Sequence, residues 1–197
     1  FIVYALHKAG LNPFLAVPLA AAGLYIVGWV LYHIVIVRIV EKDLFISILA
    51  TFGMAILLQQ LMNQFFGADV QTVDPGLGTW FLFDGNITVL QVKVVSFFIA
   101  VVLGVCLGLF LKKTRLGQAI RATAQDARAA RILGVDTNRV YATTFALNAA
   151  ICGAAGALVV MTWVIQPFAG LAYTLRSFMI VIVAGIGNVA GAVFAGL

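Results

Sequence analysis

The side chains able to engage another molecule fall into two groups. One is a basic stretch holding Lys112, Lys113, Arg115, Arg121, Arg128, Arg131 and Arg139, seven of the chain's twelve Lys and Arg, against Asp126 and Asp136 alone. It can bind carboxylates, phosphates or anionic lipid headgroups. The other is a set of amides and hydroxyls inside otherwise apolar runs: Gln59, Gln60, Asn63, Gln64, Thr144, Asn148 and Asn188. These can hydrogen-bond a neutral or zwitterionic solute, or a neighbouring helix. Bond-making chemistry lacks its parts. No Gly-x-x-x-x-Gly-Lys-Ser/Thr phosphate loop occurs, and no metal-ligand cluster is evident. Cys106 and Cys152 sit deep in apolar runs and read as small packing residues, neither disulfide nor metal ligand. His33 suits a membrane interface, or else a proton relay.

The elements that must carry these residues follow from composition. Of 197 residues, 63% are hydrophobic and 10% charged, where a soluble domain carries about 25% charged. Mean hydropathy is +1.11. A soluble enzyme, a nucleic-acid-binding domain, a disordered chain and a disulfide scaffold are all excluded. The net charge of +5 therefore marks the cytoplasmic side of a membrane, with no nucleic acid as partner. Five apolar runs, 14–37, 44–66, 94–111, 140–165 and 177–197, are the expected spans. Phe1–Leu6 reads as the end of an earlier one. The backbone must satisfy itself in hydrocarbon, so the expected fold is all-α, a polytopic transmembrane helix bundle of about five full spans. The chain opens at Phe1 without Met and stops inside an apolar run at Leu197. We read it as the middle of a longer membrane protein forming one partial transmembrane domain.

The basic loop 112–139 is expected in the cytoplasm. Alternation places the 38–43 link there too, with Arg38 and Lys42, and the 67–93 loop outside, with Asp69, Asp74 and Asp84 against one Lys. The 166–176 link falls outside, with Arg176 in mild dissent. Asp74-Pro75-Gly76 and Asp84-Gly85-Asn86 are turn signals, and the alternating 87–92 segment is a short strand or an extended lead into a span.

Within the basic loop, Asp126 is an expected N-cap for a short helix at 127–133, Gly134 its left-handed stop, and Asp136 the cap of the next helix. A helix this short needs something to pack on. Ala129, Ala130, Ile132 and Leu133 give it an apolar surface, and Arg128 and Arg131 can reach acidic groups. It fits a groove on a cytoplasmic partner; alternatively its arginines only bind lipid headgroups and fix topology. The four amides at 59–64 line a pathway or bond between helices. Thr144, Asn148, Cys152 and Gly156 share one helix face, where Asn148 could meet a substrate or pin a neighbour. Asn188, between Gly187 and Gly191, would accompany a helix break that exposes backbone groups. Gly104-x-x-x-Gly108 and Gly187-x-x-x-Gly191 are close-packing signals, and Ala149-x-x-x-Gly153 a weaker one.

Ala129-Ala130-x-x-x-Gly134 resembles the core of the Glu-Ala-Ala-x-x-x-Gly loop of ABC-transporter permeases. The longer string Gly117-Gln118-Ala119-Ile120-Arg121-Ala122-x-Ala124-Gln125-Asp126 through Leu133-Gly134-Val135-Asp136 is similar to permease subunits of branched-chain amino-acid importers. Thr144-Phe145-Ala146-Leu147, Gly153-Ala154-Ala155-Gly156 and Gly185-Ile186-Gly187-Asn188-Val189-x-Gly191-Ala192-Val193 fit the same family. The motif's Glu is Arg128 here. The resemblance implies a subunit without bond chemistry in a bacterial inner membrane, moving branched-chain or related amino acids. Relatives that carry urea or short amides are the alternative. It implies a second permease, two ATP-binding cassette subunits holding ATP-Mg, and a solute-binding protein outside. Asp126, Arg128, Ala129, Ala130, Arg131, Leu133 and Gly134 would form the cytoplasmic coupling helix and its caps. An ion-coupled transporter usually carries ionisable residues inside its spans; these spans hold no acidic residue. A purely structural membrane subunit leaves the capped Arg-rich loop unexplained.

Overall fold

Long apolar runs without a backbone interruption become single helices here. The computed structural model describes residues 2–8, 10, 13–39, 44–67, 79–82, 87–163, 169–185 and 189–196. The elements are α1 (Ile2–Lys8), α2 (Pro13–Ile34), α3 (Leu44–Phe66), strands β1 (Thr79–Leu82) and β2 (Ile87–Leu90), α4 (Gln91–Lys113), α5 (Arg115–Gln125), α6 (Ala127–Ile132), α7 (Thr137–Thr162), α8 (Ala169–Ala184) and α9 (Val189–Gly196). Among the described residues, four helices are long and apolar enough to cross a bilayer: Pro13–Arg38, which ends in a 3-10 turn, Phe45–Phe66, Gln91–Lys113 and Thr137–Thr162. The helix bundle carries one antiparallel hairpin, β1 on β2, with Thr79 opposite Leu90 and Leu82 opposite Ile87. The alternating segment from Ile87 is thus strand up to Leu90, then helix. Both turn signals of that loop lie outside the described residues.

Among the described residues the expected span 177–197 is not one continuous helix. Helix α8 starts at Ala169 and takes in Arg176, because a single exposed cation does not stop a helix. It stops at Gly185, whose φ of +83° is left-handed and whose N–H reaches the Val181 and Ile182 carbonyls. Sixteen residues span about 24 Å at 1.5 Å each, short of the roughly 30 Å hydrocarbon core.

The packing centre is the antiparallel pair α2 and α7. A Cβ on Gly28 would stand 2.6 Å from Ala149 Cβ, and one on Gly153 would stand 2.8 Å from the Ala20 carbonyl oxygen. Ala16, Ala20, Ala146, Ala154 and Ala157 are buried along the same seam. Small residues let the backbones approach, and van der Waals contact then substitutes for the hydrophobic drive that lipid does not supply. Val3 of α1 and Val92 of α4 close the cluster at one end, against Leu158, Val160 and Met161. There the Lys93 ammonium lies 5.9 Å from the Trp163 ring. The stronger Gly104-x-x-x-Gly108 signal is not used here, since nothing lies within 4 Å of either glycine's Cβ position. The weaker Ala149-x-x-x-Gly153 signal does pack, and Gly187 of the third signal lies outside the described residues. Helices α3, α4 and α8 leave most of their apolar side chains uncovered, as a lipid-facing or helix-facing surface does.

Candidate functional site

The basic loop folds as two short helices between α4 and α7. Thr114 makes the first turn: its hydroxyl donates to the Phe110 carbonyl at 2.7 Å and accepts from the Gly117 N–H at 3.0 Å. It therefore ends α4 and caps α5 at once. Gly117 is required by close approach, because a Cβ there would come within 2.5–2.6 Å of the Leu111 and Phe110 backbones. The Arg121 guanidinium donates to the Lys112 carbonyl at 3.5 Å across this elbow.

Helix α6 is closed at both ends. Asp126 Oδ1 accepts from the Arg128 N–H at 2.8 Å and from the Ala129 N–H at 3.1 Å. At the other end Gly134 has φ +85°. Its N–H donates to Arg131 O, and the Val135 N–H donates to Ala130 O, the paired bonds of a Schellman stop. Two residues on, Asp136 Oδ1 accepts from the Arg139 N–H at 3.1 Å and starts α7.

This geometry sorts the candidate residues. Ala130 is 3% exposed and faces the bundle, so it holds α6 in place. Arg131 donates from Nε to the Thr137 hydroxyl at 3.0 Å, which turns its side chain back to the base of α7. Both loop carboxylates are engaged as caps. What remains outward is Arg128, Ala129, Ile132 and Leu133, with Ile132 86% and Leu133 83% exposed. These two side chains form an exposed apolar patch beside the Arg128 cation.

Among the described residues the candidate polar side chains of the spans fall in two places, the amides of α3 and the pair Thr144 and Asn148 on α7. Gln59 and Asn63 are half-buried and Gln60 and Gln64 exposed. Helix α3 buries none of its described side chains, and among the described residues these four amides bond to no other helix. Asn188 lies outside the described residues. Thr144 donates to its own helix at Val140 O, 2.7 Å away, and Asn148 is exposed. Both front a cavity of about 440 Å³ between α2, α4, α5 and α7. Its wall is mainly Ile36, Leu107, Leu111, Ile120, Leu147 and Ile151, with Tyr32, Phe145 and Tyr141 beside them. His33 is exposed and its Nδ1–H donates to Trp29 O at 3.0 Å. Cys106 and Cys152 are free thiols, both exposed among the described residues.

Sequence reasoning missed Thr114, Gly117 and this cavity. Thr114 stands directly before a run of helix formers, an N-cap signal that could have been read. The other two depend on contacts that only the folded chain supplies.

Residues 1–197 match the family described as "Branched-chain amino acid transport system / permease component". The chain belongs to this family. It is 30% identical over 178 residues, 86% of its length and 57% of the relative's, to the high-affinity branched-chain amino acid transport system permease protein LivH of Salmonella typhimurium. The same identity and coverage hold for LivH of Escherichia coli. BraD of Pseudomonas aeruginosa, also a high-affinity branched-chain amino acid transport system permease protein, is 28% identical over 77% of this chain and 51% of its own. The chain thus spans about half the length of the curated relatives it matches. No solved structure matches it. With its apolar helices, this permease-family chain is a multi-pass membrane protein.

Proposed function

We propose that this chain is the membrane-spanning part of an ATP-driven importer for branched-chain or related amino acids in a bacterial cytoplasmic membrane. In this reading α6 docks in a groove of a separate ATPase subunit that binds ATP-Mg. Closure of two such ATPases pulls on α6, and the attached helices rock as rigid bodies to open the path to the other side. A second permease completes the pathway, and a solute-binding protein delivers substrate from outside. The basic loop is then cytoplasmic.

The observation that supports this best is α6 itself. Six residues cannot hold a helix alone in water. This one is capped at both ends, seated by Ala130, and presents Ile132 and Leu133 outward. Such construction suits a part that must transmit force without fraying. The amides Gln59, Gln60, Asn63 and Gln64 on α3 are the pathway candidates in this reading, because four amides facing lipid would be costly. Reconstitution of the full-length protein with its permease, ATPase and binding-protein neighbours tests the proposal. Uptake of a branched-chain amino acid should require ATP. Uptake that follows an ion gradient and ignores ATP rejects it.

A further inference from the structure

The elbow between α4 and α5 carries Lys112, Lys113, Arg115 and Arg121, and no acidic residue occurs from Lys112 to Gln125. All four cations are exposed. The Arg121 guanidinium donates to the Lys112 main-chain carbonyl at 3.5 Å, so it reaches across the elbow, nine positions of sequence, to the backbone that carries the Lys112 side chain. Their direct chain neighbours, Leu111 and Ile120, are wall residues of the 440 Å³ cavity. A cationic rim therefore stands at the mouth of an apolar hollow, where a long apolar helix leaves the bilayer.

The contents of that hollow limit what fits. Leu107, Leu147 and Ile151 are part of its wall, and Thr144 is already bonded to its own helix. A zwitterionic amino acid would bring two charges into a space lined by no Lys, Arg, Asp or Glu. An acyl chain brings none. Among the described residues at this elbow a choline ammonium would meet four cations and no carboxylate, whereas a net-negative headgroup meets partners.

We propose that the α4–α5 elbow is a binding site for an anionic phospholipid, its phosphate between Lys112 and Arg121 and one acyl chain in the hollow between α2, α4, α5 and α7. Basic pockets between membrane helices bind anionic headgroups in this way. The lipid would bridge the end of α4 to α5 and stiffen the elbow that leads to α6. The site does not depend on what the protein transports.

Full-length protein purified with its neighbouring subunits provides the test. Palmitoyl-oleoyl phosphatidylglycerol and phosphatidylcholine are titrated separately, and retention is read by native mass spectrometry. Phosphatidylglycerol should be retained at least about five-fold over phosphatidylcholine, and K112Q or R121Q should each lower its retention about five-fold. L107W, or I151W if the first does not assemble, should fill the hollow and lower retention with the cations intact. Glycerophosphoglycerol and inorganic phosphate, which have the charge without the chain, should not compete at equal concentration. Equal retention of the two lipids, indifference to both charge removals, or full competition by inorganic phosphate overturns the proposal.

Discussion

Replacing Asp126 by Ala removes the acceptor that holds two backbone N–H groups of α6, at 2.8 and 3.1 Å. Loss of an Asp N-cap costs about 1 kcal/mol, within a range of roughly 0.5–2. That lowers the ratio of formed to frayed α6 about five-fold, and about thirty-fold at the upper end. The helix has little reserve, since isolated helices below about 12–15 residues are marginal. Its remaining supports are Ala130, the Gly134 stop and whatever it docks against. Asp126 lies outside the long apolar helices, so D126A should insert and assemble normally. The expected result is ATP-driven uptake reduced about five-fold or more at unchanged protein level. Asn caps nearly as well as Asp, so D126N should stay within about two-fold of the parent. The assay is initial-rate uptake and ATP hydrolysis in proteoliposomes containing the full importer. The pair of variants separates a cap from a salt bridge to the partner. Normal uptake by D126A, or D126N failing as badly as D126A, would refute the reasoning.

Charged substitutions at the exposed patch of α6, I132D and L133D, should leave insertion and thermal stability unchanged but abolish co-purification of the ATPase; retained co-purification removes these side chains from the docking face. A130E instead buries a carboxylate at a 3% exposed position and should lift α6 off the bundle, so uncoupling comes with a lower melting temperature. A melting temperature equal to the parent's would place Ala130 outward. G117A forces a Cβ against backbone atoms at 2.5–2.6 Å and should destabilise by about 1–3 kcal/mol, read as a lower Tm in nanodiscs. G104A meets nothing within 4 Å and should cost this chain's fold nothing, so the reverse order of the two would contradict the elbow geometry.

Features set by residues within three or four positions of each other were legible in the sequence. Asp126, Gly134 and Asp136 act on their immediate neighbours, and each sits where local cap chemistry puts it. Run length likewise located the long helices to within a few residues. Features that depend on a partner helix were not legible. Gly104-x-x-x-Gly108 and Ala149-x-x-x-Gly153 look alike on paper, yet only the second has a helix against it. A small-residue pair says that a backbone could approach, not that one does. Arg176 misled for a related reason: a lone cation interrupts an apolar run but not a helix, and the actual stop is the left-handed Gly185. Arg131 was placed correctly on α6, but its bond to Thr137 crosses a loop, and no spacing rule gives that.

The two kinds of feature combine into one mechanical argument. Between the end of α6 and the start of α7 lie Leu133 to Asp136, and three hydrogen bonds fix this passage: Gly134 to Arg131, Val135 to Ala130, and Arg131 Nε to Thr137. A displacement of Ile132 and Leu133 therefore reaches α7 with little slack. Helix α7 is closely packed on α2, since Gly153 and Gly28 let the two backbones approach to where no Cβ would fit. On the other side, Thr114 and Gly117 tie α5 to α4 just as closely. Close-packed contacts of this kind transmit strain instead of absorbing it. Three long helices are thus joined to one six-residue handle, whereas α3, which carries the amides at 59–64, buries no described side chain. In the proposed mechanism, movement of this group relative to α3 would change the gap between them, and that gap is where a solute path would open and close.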